Sequence, residues 1–367
     1  MSRLRLCESR FRTSRRAAFA LAVALAALVC AAGCRRHGRQ SPIGEAYVAP
    51  MLLNLRQELA PRAPVTATVK HGDRLQILER RRRMAKVRTE QGQEGWTDGQ
   101  QLLSPKGMAR LRRESERARH LPSQGKASPF DLLNVHITPN LASPSFTQLA
   151  PDADADVIGR AVTIRGPYVP EGTGQQAPPP DPNALRDDWS LVRLADGRSG
   201  WVLSRLLMMN LPDEVTQFAD RHRITSYFSL GAVQDRDQTR QHWLWTTIST
   251  APEKYQFDSI RVFVWNTRRH RYETVYHERG LRGYYPVTVD RTEDGTPRIR
   301  LLSEGKDGIL TQRTFLFREN RLRQTERIPW RQPVVDPEDA LPNELDGARS
   351  DPSWWSRIAS WIGSLWN

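Results

Sequence analysis

Between Tyr47 and Leu103 short apolar segments alternate with turn residues. Leu53-Asn54-Leu55-Arg56, Val65 to Val69, Leu75 to Leu78, Ala85-Lys86-Val87-Arg88, Gly95-Trp96 and Leu102-Leu103 hold the apolar positions, with Pro61 to Pro64 and His71-Gly72-Asp73 between them. Short strands at this spacing, punctuated by Gly and Pro, predict a small barrel over 46–104. A related pattern closes residues 130–211: Trp189-Ser190-Leu191-Val192-Arg193, a hairpin at Asp196-Gly197, then Gly200-Trp201-Val202 and Leu206-Leu207. Its opening half offers only Phe146 to Leu149 and Val157 to Ile164, and Pro167 to Asp187 reads as an inserted loop.

Residues 105–129 form a charged linker whose Lys106 to His120 reads as a helix. Met108 and Leu111 are its only large apolar side chains, so a solvated connector is expected. Asp213 to Ile224 predicts a short helix. After it come strands near His242–Ile248, Ser259–Trp265, Tyr272–Tyr276, Tyr285–Val289, Arg298–Leu302, Thr311–Phe317 and Leu322–Arg327, an antiparallel meander over 212–328. Within it Ile260, Val262 and Val264 face one way and Arg261, Phe263 and Trp265 the other. The fold expected is mainly β: two small barrels, the meander, and short helices.

The order of the pieces in 46–104 resembles the bacterial SH3-like domain: a leading "LNVR" element, a Pro-bearing loop, a "GD" turn before an apolar strand, a "VR" strand and a closing "GW". Residues 130–211 resemble a divergent second copy that has lost its "LNVR". Family members that hold wall peptides use a groove between barrel loops, and Tyr47, Arg56 and Trp96 match the edges of that groove. The resemblance thus implies recognition of cell-wall peptide or of a protein partner. Trp96 and Trp201 also suit barrel-closing core positions.

The chain opens with Arg3, Arg5, Arg10, Arg12, Arg15 and Arg16, then runs apolar from Ala17 to Ala32. That is the charge and length pattern of a removable signal peptide, residues 1–33. Ala31-Ala32-Gly33-Cys34 resembles the bacterial lipobox, which implies lipid on Cys34 and a tether over 34–45. An unlipidated secretory signal, an uncleaved anchor and a twin-arginine address at Ser14-Arg15-Arg16 are the competing readings. Cys34 would be the sole cysteine remaining, because Cys7 and Cys30 leave with the signal. On that reading cysteine-nucleophile wall peptidases are excluded.

Of 55 basic and 41 acidic residues, six Arg and one Glu lie in 1–33, so residues 34–367 carry 49 against 40, a net +9. A basic exported protein suits anionic partners, and its compartment disfavours nucleic acid. Arg80, Arg81, Arg82 and Arg83 lie at a hairpin tip, either as a contact for phosphate or carboxylate groups, anionic lipid included, or as a solvated turn. Residues 329–352, rich in Pro and acids, read as a disordered linker. In 353–367 Trp354, Trp355, Ile358, Trp361, Ile362, Leu365 and Trp366 recur at helical spacing, for a membrane interface or for docking on protein.

His270, Glu273 and His277 invite a metal site, but on a strand 270 faces away from both 273 and 277, so they do not converge. No phosphate loop, serine elbow or cofactor motif appears. The expectation is a non-enzymatic, lipid-anchored envelope scaffold, in the outer membrane if the cell has two. An envelope hydrolase with its site in 212–328 and a purely structural subunit are the alternatives.

Overall fold

The computed structural model describes residues 40–330, apart from Pro61, 170–178, Pro180, 182–183 and 250–252. The signal segment, Cys34, the linker beyond Trp330 and the tryptophan-rich segment 353–367 lie outside the described residues. The chain is mainly β. No helix among the described residues is long and apolar enough to cross a membrane.

The first module contains β1 Gly44–Val48, β2 Leu52–Arg56, β3 Val65–Lys70, β4 Arg74–Arg81, β5 Met84–Arg88, β6 Glu94–Asp98 and β7 Leu102–Leu103, in one sheet ordered β3-β2-β6-β5-β4-β1-β7. Alternation places Ala46, Val48, Leu55, Val69, Leu75, Ile77, Ala85 and Val87 in its core.

Helix α1, Pro105–His120, follows. Ser104 caps it by accepting from Gly107 N–H at 3.0 Å, Pro105 fits the first turn, and Arg117, Arg119 and His120 complement the dipole at its end. It is not a solvated connector. Met108 joins the second module's core, Ala118 packs beside Trp189 and Trp201, and Arg193 Nη1 donates to the carbonyls of Ala118, Arg119 and Leu121 at 2.9–3.1 Å.

The second module contains β8 Lys126–Pro129, β9 Leu133–His136, β10 Ser145–Leu149, β11 Ala155–Ile164, β12 Arg186–Arg193, β13 Ser199–Leu203 and β14 Leu207–Met209. Its order, β10-β9-β13-β12-β11-β8-β14, is the first module's advanced by seven strands. Details repeat as well. Arg56 is the Cα partner of Trp96, and His136 that of Trp201. Arg56 Nη1 bonds the Ala63 carbonyl at 2.7 Å, and His136 Nδ1 bonds that of Ser143 at 2.8 Å. A β-bulge falls at Ile77/Glu79 in one and at Val157/Gly159 in the other. A Cβ on Gly95 would sit 2.8 Å from Leu55, and one on Gly200 would sit 2.6 Å from Val135. These matches correct the sequence reading. The "LNVR" element is present as Leu133-Asn134-Val135-His136, with His where the first copy has Arg.

A short helix α2, Asp213–Thr216, and a 3-10 turn, Gln217–Ala219, lead into β15 Arg223–Asp235, β16 Gln238–Ile248, β17 Phe257–Asn266, β18 Arg271–Arg291, β19 Pro297–Glu304, β20 Leu310–Arg318 and β21 Arg321–Pro329, paired strictly in chain order. Two expectations are corrected. Residues from Arg223 onward form a strand rather than helix and unassigned chain; bulges at Ile224/Ser226 and Ser229/Gly231 blur its alternation. Tyr272–Tyr276 and Tyr285–Val289 belong to one bent strand of 21 residues, whose bend holds Gly283 against Phe257. One core cluster draws residues from all seven strands, among them Leu230, Leu244, Val262, Val287, Ile299, Phe315 and Leu322. For strands so far apart in order to share it, the sheet must curl. Trp245, Phe263, Trp265 and Tyr272 pack on its other face with Val215 of α2.

The second and third modules are joined by buried polar groups. Gln124, fully buried, accepts from Val287 N–H at 3.0 Å and donates to Val287 O at 3.2 Å, while its own carbonyl accepts from Tyr227 N–H at 2.9 Å. Arg160, 3 % exposed, forks onto Asp188 at 2.8 and 2.6 Å and donates to Tyr255 O at 2.6 Å. Asp188 also receives Arg223 and the Ser204 hydroxyl.

Candidate functional site

Arg80 to Arg83 close the β4–β5 hairpin, with Arg82 in the left-handed region at φ 52°. The Arg81 guanidinium lies 5.4 Å from the centre of the Trp96 ring, and Trp96 adjoins Arg56 across β2 and β6. Arg83 pairs with Asp98. Arg80 and Arg82 are exposed and make no ion pair among the described residues. Arg56, Trp96 and the arginine tip therefore share one region. Tyr47 does not join them: it pairs with Leu103 on β7, packs toward the second module's core and lies beneath Arg112.

The duplication gives this region a counterpart with known contacts. Arg80 is the partner of Ala85, one residue before Lys86, which faces Trp96; Arg160 is the partner of Ser190, one residue before Leu191, which faces Trp201. Arg80 and Arg160 thus occupy the same place in the two copies. In the second copy the arginine is saturated by a carboxylate and by peptide carbonyls of the 253–255 segment. In the first copy the position matching Asp188 is Arg83, so the acid is missing and a second cation stands in its place.

A second feature is a cleft of about 340 Å³ on the third module, outside its curled core. Strand pairing sets Ser259 beside Arg279 and Arg261 beside His277, on the face that also carries Trp245 and Thr247. Phe218, Ala219 and Asp220 form one wall, with Asp220 and Arg221 both in the left-handed region at φ 49° and 65°. Arg261 is held by its bonds to Thr274 Oγ1 at 2.9 Å and Phe218 O at 3.2 Å, and it lies 4.9 Å from the Phe263 ring centre. His277 Nε2 meets Ser259 Oγ at 3.2 Å and accepts from Arg279 Nε at 3.1 Å. Burial, then the Arg261 and Arg279 charges, push the His277 pKa down, so the ring is neutral near pH 7.

His270 lies elsewhere, bonded to Asp235 at 2.8 Å, and Glu273 is bonded to Asn266 and Arg269. Among the described residues no group of His, Cys, Asp and Glu is placed to hold a metal. The cleft was missed in the sequence because only cross-strand register unites 259, 261, 277 and 279. Alternating polar residues on two neighbouring strands were its one visible signal.

No protein-family model and no curated protein matches the chain. Among solved structures the chain is similar to NlpC2 from Trichomonas vaginalis, at 10 % identity over 79 % of this chain and 98 % of that one, TM-score 0.16. It is also similar to an NlpC/P60 family protein from Bacillus cereus ATCC 10987, at 10 % identity over 78 % and 94 % of the two chains, TM-score 0.19. The expectation of a non-enzyme is overturned by these neighbours and is withdrawn. Their TM-scores carry no argument about any residue here. No cysteine lies beyond Cys34, so hydrolysis by the folded part would need a nucleophile other than a thiolate.

Proposed function

We propose that this chain is an exported envelope lipoprotein, anchored through Cys34, whose SH3-like first module recognises a carboxylate-bearing wall peptide at Arg80, Arg83, Arg56 and Trp96. The observation that carries the reading is the pair Arg80 and Arg160. In the second copy this arginine needs a carboxylate and peptide carbonyls and finds both within the chain; in the first copy neither is supplied among the described residues. Guanidinium forks suit carboxylates, and the indole beside them supplies an apolar surface. An external peptide chain with free carboxylates satisfies the same donors.

The test is co-sedimentation of the chain from residue 35 with purified peptidoglycan and, separately, with anionic liposomes. Wild type, Arg80→Gln/Arg83→Gln and a chain ending at Asp351 are compared. Pelleting with peptidoglycan that survives the truncation and falls at least tenfold in the double variant supports the reading. Failure of wild type to pellet with peptidoglycan sinks wall recognition. Liposome binding lost on truncation would assign the tryptophan-rich segment to the membrane.

A further inference from the structure

The third module holds a cation-rich cleft that the reading above does not use. Two of its arginines have no carboxylate within ion-pair distance among the described residues: Arg261, which is only partly exposed, and Arg279. Asp258, on the rim, is engaged by Ser249 N–H at 2.8 Å, and Arg282 by Glu304 at 3.0 Å. Asp220 is the remaining acid of the lining. Arg261 is fixed by its bonds to Thr274 and Phe218 and by its place near two phenyl rings, 5.2 Å from Phe218 and 4.9 Å from Phe263. Holding a guanidinium rigidly and partly desolvated with no paired carboxylate is costly: burial lowers its pKa and the Arg279 charge adds to the fall, while Asp220, too far for an ion pair, only partly opposes it. The expense makes sense if an anion completes the site.

We infer that this cleft binds a phosphate group, with Arg261 and Arg279 as its charged donors. Donors from neighbouring register positions of two adjacent strands suit a small tetrahedral anion better than an extended chain. Arginine is matched to bidentate phosphate contact. His277 Nε2 accepts from Arg279 Nε and is a positioning residue. The phosphate has two sources, free in solution or on a lipid headgroup, and the chemistry at the arginines is the same for both.

The test is thermal unfolding of the full chain in detergent with inorganic phosphate titrated against chloride at constant ionic strength, and vesicle flotation with phosphatidylglycerol against phosphatidylcholine. Arg279→Gln is the main variant because Arg279 is exposed and makes no ion pair among the described residues; Arg261→Gln is the second and Arg268→Gln, in a distant exposed turn, the control. The expected result is a saturable rise in melting temperature with phosphate, weakened at least tenfold in apparent affinity by Arg279→Gln and unchanged by Arg268→Gln. Flotation that depends on Arg279 assigns the phosphate to lipid, and saturation by inorganic phosphate without flotation assigns it to solution. No phosphate-dependent shift with no flotation, or equal responses in wild type and Arg279→Gln, overturns the inference.

Discussion

Asp188 is the point at which the second and third modules are held together electrostatically, and its removal should cost more than removal of Arg160. The reason is an asymmetry in partners. Arg160→Met takes the fork from Asp188 and the donor from Tyr255 O, but Asp188 keeps Arg223 and the Ser204 hydroxyl at 3.0 Å. The loss is that of hydrogen bonds to charged groups around a still-compensated acid, about 1.5–3 kcal/mol. Asp188→Ala instead strands a guanidinium whose side chain is 3 % exposed, and takes the acid from a second arginine. An uncompensated buried charge places this variant at about 3–5 kcal/mol.

Equilibrium urea unfolding, followed by tryptophan fluorescence, measures both. Trp189 lies in the second module and Trp245 in the third, so each side of the junction reports. Asp188→Ala should also separate the unfolding of the two modules and lower the apparent m-value. In the double variant the stranded charge is gone, so its cost should fall below the sum of the single costs, with a coupling of about 1–3 kcal/mol. The reasoning fails if Asp188→Ala costs no more than Arg160→Met, or if the two costs simply add.

Gly283→Ala would place a Cβ 2.0 Å from Cε2 of Phe257, itself fully buried, so a loss of at least about 1–3 kcal/mol is expected, part of it recovered by adding Phe257→Leu; a neutral Gly283→Ala in thermal unfolding would show that the bend is misread. Gln124→Ala removes the amide that serves both backbone groups of Val287, leaving a buried N–H unpaired at about 1–3 kcal/mol, and hydrogen exchange at Val287 should accelerate with it. His242 Nδ1 accepts from Trp265 N–H at 3.1 Å, and burial lowers its pKa, as it does for His71 and His136. The unfolded chain therefore binds more protons as pH falls, so stability is fully present above pH ~6.5 and declines through the lowered folded value. Melting temperature should drop from pH 7 to 5, and His242→Asn, which keeps an acceptor but no titration, should flatten that drop.

Strands announced by a strong local signal were legible: Gly95-Trp96, Gly200-Trp201, the Asp196-Gly197 hairpin, and the alternation from Ile260 to Trp265, whose two rows enter two different apolar clusters. The rest was hidden for identifiable reasons. Leu133-Asn134-Val135-His136 escaped notice because His replaces Arg, although both side chains perform the same task of bonding a carbonyl seven residues on. The strand beginning at Arg223 escaped because two bulges shift its register, and a period-two pattern does not survive a bulge. Tyr47 was grouped with Arg56 and Trp96 on resemblance alone, and the topology carries it to a different edge.

The match of Arg80 with Arg160 is the deeper case. A long insertion separates Arg160 from Asp188 in sequence, so the two copies lose their common spacing at this hairpin. Strand register restores it, because the bulge before each arginine falls at the same step of the ladder. One copy carries an internal acid at Asp188 and the other an arginine at Arg83. On the proposed reading, a repeated surface satisfied from within in one copy and left cationic in the other divides its labour between holding the chain together and binding wall peptide. Placing an acid at Arg83 should therefore imitate the second copy and close the first: Arg83→Asp should satisfy Arg80 within the chain, lower the melting temperature only by the small amount that loss of the exposed Arg83–Asp98 pair costs, and abolish peptidoglycan sedimentation. Retained sedimentation in that variant would show that the cationic tip is a solvated turn and that the resemblance between the copies ends at topology.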